Sequence, residues 1–293
     1  MNHWLDTCRI SHGGRYKDKQ IDEVIGIVKT LPFLGYFCVY NLVYAQMTSL
    51  FYAQGCQMNI YLPHDKQVPI ACLNLFDATS IVLLVPLMDK WVIPFLRRKR
   101  FKVCVFVTML QRIGCGLILS ALSMVVAAIV EVLRKESASF DVNDTSSECD
   151  SGGGIPVSKI SIFSQIPQFF LIGASEVLAN TTALEFFFSQ SPVKMRSVMT
   201  SFYMLTVGIG SWMTSVLIAV VNANKDNQWI TNNLNHGHLE YYFCLLAVLS
   251  VVNFLGFFYS SYYYQYQNLG QDQLSASQSK ILRKETGDLF SNH

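Results

Sequence analysis

The carboxylate of Glu176 lies in the middle of a long apolar stretch, Gln165–Pro192. An isolated charge at the depth of a lipid bilayer costs at least about 2.5–3.5 kcal/mol, so acids in such segments usually line a path for a substrate, an ion or a proton. The alternative is a carboxylate that a partner on a neighbouring helix neutralises. The sequence favours a group that faces a cavity, where it binds the positive end of a substrate or carries a proton.

A second acid, Asp77, lies in another apolar stretch, between Asn74 and Ser80. Pro86 follows it and should loosen the helix there, because proline removes a backbone hydrogen bond. A role of Asp77 in the cavity and a role in helix packing both stay open.

Two polar side chains follow Glu176 along the same stretch. Asn180 comes four residues later, so on a helix it shares a face with Glu176. Glu185 comes nine residues later, which is about 180° away at 100° per residue. We therefore expect Asn180 to accompany Glu176 and Glu185 to make a hydrogen bond in helix packing.

The first apolar stretch also carries polar side chains, among them those of Tyr40, Asn41 and Tyr44. Tyr40 and Tyr44 are one helical turn apart, and Asn41 adjoins them. A cavity lined by aromatic and amide groups suits an amphipathic ligand with few charges. The alternative is packing between helices, where a hydrogen bond contributes only about 0.6 kcal/mol on average.

The elements that carry these residues are predicted by composition and by the length of the apolar segments. Of the 293 residues, 51% are hydrophobic and 14% are charged, whereas soluble domains usually carry about 25% charged residues. Six segments are long enough to cross a bilayer, which takes about 20 apolar residues. We place them at Leu31–Gln54, Ile70–Val92, Val105–Val130, Ile160–Ser189, Val198–Val221 and Tyr241–Tyr263. The sequence therefore predicts an all-α membrane protein.

The distribution of basic residues predicts the orientation. Of the 22 lysines and arginines, 16 fall on one side of the predicted spans, and the side rich in basic residues is usually cytosolic. Both termini are then cytosolic. We divide the chain into a cytosolic linker with an amphipathic helix at residues 1–30, a six-span bundle at 31–265 and a disordered tail at 266–293.

The loops on the opposite side contain two kinds of sequence feature that occur in extracellular or luminal segments, namely a glycosylation sequon and cysteines that could pair. Asn143 begins an Asn-Asp-Thr glycosylation sequon in a polar insert. Cys56 and Cys149 fall on this same side, so a disulfide between them is one alternative. The eight cysteines show no zinc spacing, and the chain has no phosphate-binding loop and no nucleophile constellation. We expect no enzyme activity, no metal, no cofactor and no nucleic-acid partner.

Several stretches together resemble the proton-dependent oligopeptide transporter family, of the major facilitator superfamily. The most specific is Ile166–Pro192, which is similar to the tenth helix of that family. The others are Trp4–Arg15, Val43–Ser49, Val85–Asp89, Leu110–Gly116 and Asn233–Phe243. They resemble the C-terminal half of the family, nearest to its peptide/histidine branch, and the last is close to a pattern of plant nitrate/peptide carriers.

The resemblance implies roles for individual residues. Glu176 falls on the glutamate that holds the amino end of a peptide in the family, and Tyr203 occupies the position of a pocket tryptophan. Asp77 stands where the family often has an asparagine, so a carboxylate there adds a site for an amine or a proton, or weakens binding of a substrate carboxylate. The resemblance makes Glu176 and Asp77 the candidates for proton coupling, with the proton as coupling ion. The substrate-binding candidates are Glu176, Asp77, Asn180, Tyr40, Asn41, Tyr44 and Tyr203.

The resemblance also implies a partner, because carriers of this superfamily place their site between two six-helix bundles and this sequence predicts one. With an N-terminal bundle, we expect proton-coupled symport of short peptides or histidine across the plasma membrane or an endolysosomal membrane. The alternatives are a carrier of nitrate or another small metabolite, and a non-transporting scaffold or truncated regulatory form.

Overall fold

The chain folds as a bundle of six membrane-length helical segments in the computed structural model, which describes residues 7–62, 66–87, 90, 108–137, 157–223, 228–231 and 233–264. The six segments that are long and apolar enough to cross a membrane are Gln20–Cys56, Ile70–Leu87, Met109–Glu136, Ile162–Ser189, Val193–Val221 and Leu239–Tyr263. The prediction of an all-α membrane protein with six spans is confirmed.

The α-helices are α1 Asp18–Tyr44, α2 Leu50–Cys56, α3 Asn74–Leu87, α4 Met109–Glu136, α5 Ile166–Ser175, α6 Thr182–Ser189, α7 Arg196–Val221 and α8 Leu239–Tyr263. A π-helical turn, Glu176–Thr181, joins α5 to α6. Short 3₁₀ turns cover Ile10–His12, Ala45–Thr48, Ile70–Leu73, Ile162–Gln165 and Val193–Met195. Two-residue strands β1 Tyr61–Leu62 and β2 Lys66–Gln67 pair antiparallel in the loop after α2.

The first span differs from its prediction at its start and in its interior. Helix α1 runs without a break from Asp18 through Pro32 to Tyr44, so no boundary separates the predicted surface helix from the span. The helix breaks instead after Tyr44, where side chains bond to carbonyl groups of the preceding turn. Gln46 donates to the carbonyl of Leu42 at 2.9 Å and Ser49 donates to that of Ala45 at 2.9 Å. Such bonds offer the backbone an alternative to the helical ladder.

Helix α4 is the central element of the bundle and is longer than predicted. A capping box fixes its start. The Thr108 hydroxyl oxygen accepts a hydrogen bond from the backbone N–H of Gln111, and the side-chain oxygen of Gln111 accepts one from the backbone N–H of Thr108. The helix then continues to Glu136, six residues past the predicted end of the span. Its most extensive contacts are with α8 and α5, while α1 packs on α7 and α3 packs on α5.

Two apolar clusters fill the bundle, one toward each end. We call the end at which α1 begins and α8 ends the near end, and the opposite end the far end. The near-end cluster is aromatic, with Phe33 edge-on to Phe186 and to Phe257 at centroid distances of 5.6 Å. The far-end cluster includes Phe51, Phe169 and Phe243, whose rings also meet edge-on. Of the candidate functional residues, Tyr40 and Tyr203 belong to the near-end cluster, and Tyr44 packs against both clusters.

Several predicted features lie outside the described residues. They are the glycosylation sequon at Asn143, Cys149 and the predicted tail at residues 266–293. The predicted ends of the second span at Val92 and of the third at Val105 lie outside them as well.

Close contact between α1 and α7 requires a glycine at position 210. A methyl group on Gly210 would lie 2.9 Å from the backbone carbonyl carbon of Asn41, whereas one on Gly208 would meet no atom within 4 Å. We expect Gly210→Ala to lower the free energy of unfolding by about 1–3 kcal/mol, because backbone atoms cannot move aside as a side chain can. Gly208→Ala is the matched control and should raise the stability, since alanine favours a helix by up to about 1 kcal/mol.

The measurement is the thermal unfolding midpoint of each purified variant in the same detergent. Equal midpoints for the two variants would contradict the glycine-dependent contact.

Candidate functional site

Glu176 occupies the first position of the π turn, in the middle of its span. Its side chain is half-buried, and the Tyr44 hydroxyl donates a hydrogen bond to its Oε2 atom at 2.8 Å. Single π turns inside α-helices are rare and occur frequently at functional sites. Helix α4 supports this turn closely, because a side chain on Gly116 would overlap the backbone of Ala179.

Tyr40 and Tyr44 lie on the face of α1 that meets α5 and the π turn. Their rings stack at a centroid distance of 6.2 Å. Ser175 donates a hydrogen bond to the Tyr40 hydroxyl at 3.2 Å, so both tyrosines are tied to consecutive residues of the same span. Tyr40 is almost fully buried, whereas Tyr44 is half-buried beside Glu176. Of the two, Tyr44 is the one positioned to meet a ligand.

Tyr203 and Asn180 join α7 to the π turn. The Tyr203 hydroxyl donates to the side-chain oxygen of Asn180 and also lies 3.1 Å from its backbone carbonyl oxygen. Tyr203 is buried and Asn180 is half-buried. The pair therefore fixes the last residues of the π turn that begins at Glu176.

Asn41 is placed between α1 and α7 rather than beside Glu176. Its side-chain amide donates to the Thr206 hydroxyl at 3.0 Å, and it is buried. This position agrees with the alternative of packing between helices. Its Oδ1 atom accepts no hydrogen bond within the described part of the chain.

Asp77 faces α5 from α3 and is 7% exposed. A side chain on Gly173 would overlap both the Asp77 carboxylate and the Ser80 hydroxyl, so the two helices are in close contact here. Asp77 and Glu176 interact electrostatically, and both do so with Tyr40 and Tyr44. The structure thus brings five of the seven predicted site residues into one cluster, which consists of the two acids and the three tyrosines. Asn180 lies one turn further along its span, and Asn41 lies apart from the cluster.

The cluster is acidic within the part of the chain that the structure describes. Neither Asp77 nor Glu176 forms an ion pair there. The basic side chains that do form ion pairs bind other acids, namely Asp22, Glu131 and Glu240. Glu185 is exposed on α6 and makes no hydrogen bond to a described residue, so the predicted packing bond is not found among them.

A buried polar cluster at the far end is absent from the sequence-based predictions. Its members are Gln54, Gln165, Gln168, Glu131 and Arg134, all 0% exposed. The Gln54 amide donates to Glu131 at 3.0 Å, while the amides of Gln165 and Gln168 both donate to the Gln54 side-chain oxygen, at 2.8 and 3.1 Å. The cluster therefore connects α2, α4, the 3₁₀ turn before α5, and α5 itself.

An ion pair anchors this far-end polar cluster. Arg134 donates to both carboxylate oxygens of Glu131, at 2.7 and 2.9 Å, and to the Asn235 side chain at 2.8 Å. Arg134 lies beyond Val130, where we predicted the third span to end, but α4 continues past it and buries it. The i, i+3 spacing of Glu131 and Arg134 is the sequence signal that could have identified the pair.

Cys56 is disulfide-bonded. The other cysteines that the structure describes, Cys8, Cys38, Cys72, Cys115 and Cys244, are free. The predicted alternative partner, Cys149, lies outside the described residues, so that pairing stays a prediction.

Removing one member of the buried ion pair should destabilise the bundle. We expect Arg134→Ala to lower the free energy of unfolding by about 3–5 kcal/mol, because it leaves the Glu131 carboxylate buried without its partner. Glu136→Ala is the control, since Glu136 is an exposed acid two residues further along the same helix and should change stability by less than about 0.5 kcal/mol. Titration with a denaturing detergent, followed by circular dichroism, measures both. A loss no larger than that of the control would contradict the role assigned to the pair.

Comparison with known proteins identifies related sequences. The sequence model PTR2, described as the POT family, matches residues 2–233. Protein NRT1/PTR FAMILY 8.3 of Arabidopsis thaliana is 39% identical over 250 residues, which are 84% of this chain and 41% of that protein. Protein NRT1/PTR FAMILY 8.1 of the same plant is 37% identical over 252 residues, 85% of this chain and 42% of that protein. The chain thus spans less than half the length of these relatives.

Two solved structures share the fold. The crystal structure of an auto-inhibited POT family peptide transporter superposes with a TM-score of 0.65 at 20% identity, covering 90% of this chain and 45% of that one. The POT family transporter PepTSo gives a TM-score of 0.61 at 22% identity, covering 84% of this chain and 43% of that one.

Proposed function

Because the chain belongs to the POT family of transporters, we propose that its six helices form one half of a proton-coupled carrier for short peptides or histidine. The observation that carries the proposal is the environment of Glu176. This acid is half-buried at the middle of its span, begins a π turn, and is hydrogen-bonded by Tyr44. It has no basic partner among the described residues.

Glu176 supplies a carboxylate oxygen for the positive end of a substrate. Tyr44 donates to Oε2, and no hydrogen bond of a described residue reaches Oε1. The free oxygen can accept from an ammonium group or take a proton. A carrier then changes the balance between its states through the differential affinity of those states for the proton and the substrate.

The second half of the carrier supplies the opposite wall of the cavity. The chain spans 41% and 42% of the two plant relatives, and its neighbours of known structure are likewise about twice as long as the matched part. Carriers of this architecture bind substrate between two bundles at the middle of the membrane. We therefore assign Glu176 its transport role in a protein that contains both bundles.

The test is uptake into proteoliposomes with an imposed pH gradient. They hold the carrier with both bundles, as one polypeptide or as two co-expressed halves. We expect a labelled dipeptide or histidine to accumulate against its gradient, and Glu176→Gln to reduce that uptake to background, because a neutral amide of the same size neither pairs with an ammonium nor takes the proton. Uptake by Glu176→Gln at the wild-type rate would overturn the role of Glu176.

Glu185→Gln is the matched control, since it removes an acid of the same span that is exposed and makes no contact with the cluster. It should leave uptake within about twofold of wild type, as surface substitutions usually have small effects. Nitrate is measured in the same vesicles. Accumulation of nitrate without accumulation of peptide or histidine would contradict the proposed substrate class, and accumulation of none of them would favour the non-transporting scaffold.

A further inference from the structure

Asp77 has an unusual environment for an acid that serves only to pack helices. It is 7% exposed, and its Oδ1 atom accepts no hydrogen bond from a described residue. The nearby Ser80 hydroxyl does not satisfy it, because that hydroxyl donates to the backbone carbonyl of Asp77 at 2.7 Å. A buried acceptor without a partner carries the full cost of its desolvation. An acid retained for packing would be expected to have its oxygens bonded.

Gly173 places this acid close to the site. The absence of a side chain at Gly173 lets α3 approach α5 until the Asp77 carboxylate covers the glycine. Glu176 follows Gly173 by three residues, and positions three apart lie on the same face of a helix. Helix α3 also contacts the π turn that Glu176 begins, so the two carboxylates are close enough to interact electrostatically.

The two carboxylates have no basic partner among the described residues, whose ion pairs involve other acids. Like charges near each other disfavour the ionised form of both, and the only hydrogen bond that a described residue donates to either carboxylate comes from Tyr44. A substrate with one ammonium group neutralises one acid. A substrate with a second cationic group neutralises both.

We propose that Asp77 is a specificity-determining residue that binds a second positive charge, so that the carrier prefers substrates with two cationic groups. This inference rests on the proposed function and names its substrate class. Examples of the class are a dipeptide with a lysine side chain and histidine with a protonated ring. The same arrangement disfavours anions, because an anion would be placed beside two carboxylates.

The test compares two dipeptides that differ in one charge. Ala-Lys and Ala-Met have side chains of similar length, and kcat/KM is measured for both in the proteoliposome assay. We expect Asp77→Asn to lower kcat/KM for Ala-Lys at least about tenfold, as loss of a charged hydrogen bond does, and to change that for Ala-Met less than about twofold. Ser80→Ala is the neighbouring control. It removes a polar group in the same helix contact but keeps the charge, and should retain the preference for Ala-Lys.

Three outcomes would overturn the proposal. They are an equal loss for both dipeptides in Asp77→Asn, no loss for either, and a loss of the preference in Ser80→Ala equal to that in Asp77→Asn. The first and third would assign Asp77 to helix packing. Neither the first nor the third outcome contradicts the proposed function, since Ala-Met uptake by the wild type and its loss in Glu176→Gln test that function separately.

A binding measurement decides the matter if no dipeptide is transported. The purified full chain in lipid nanodiscs is titrated with 1,5-diaminopentane and with pentylamine, which differ only in the second ammonium group. The proposal requires the wild type to bind the diamine at least about tenfold more tightly than Asp77→Asn does, with equal affinity of both for the monoamine. Equal affinities of the wild type for the two amines, or no binding of the diamine, would contradict it.

Discussion

The hydrogen bond from Tyr44 to Glu176 is the interaction on which the geometry of the candidate site depends. It is the point at which the first span meets the π turn, and it fixes one carboxylate oxygen while leaving the other open. Two neighbouring hydrogen bonds also hold this turn, one between Tyr40 and Ser175 and one between Tyr203 and Asn180. Three tyrosines from two helices thus hold one irregular turn. The acid in that turn is held by the Tyr44 hydroxyl, and no basic side chain among the described residues pairs with it.

The rest of the bundle is stabilised by different interactions at its two ends. The near end relies on aromatic side chains that meet edge to face, and the far end combines an apolar cluster with the far-end polar cluster around Glu131 and Arg134. Hydrogen bonds between glutamines contribute little each, but leaving one of their buried groups unpaired is costly. The hydrogen bonds of the far-end polar cluster thus join α2, α4 and α5 at that end.

Much of this could be predicted because charges in apolar segments are conspicuous. Glu176 and Asp77 were identifiable from the cost of burying them, and the six spans followed from their length and composition. The break after Tyr44 and the π turn were not predicted, because both depend on contacts between helices rather than on local preference. Gln54, Gln165 and Gln168 were missed for a related reason. Each resembles an ordinary polar residue near a helix end, and only the folded chain shows that they share one oxygen atom.

The π turn has a consequence for the way related sequences are compared with this one. A π turn holds more residues than an α-helical turn, so loss of one residue between Glu176 and Thr181 could restore an ordinary helix. The helix that follows would then keep its orientation, because the wide turn had absorbed the extra residue locally. The face of α6 that carries Phe186 and Phe187 would remain in the core. A one-residue gap in this turn would therefore mark the loss of the wide turn that begins at Glu176, while the inward face of the rest of the span stays the same.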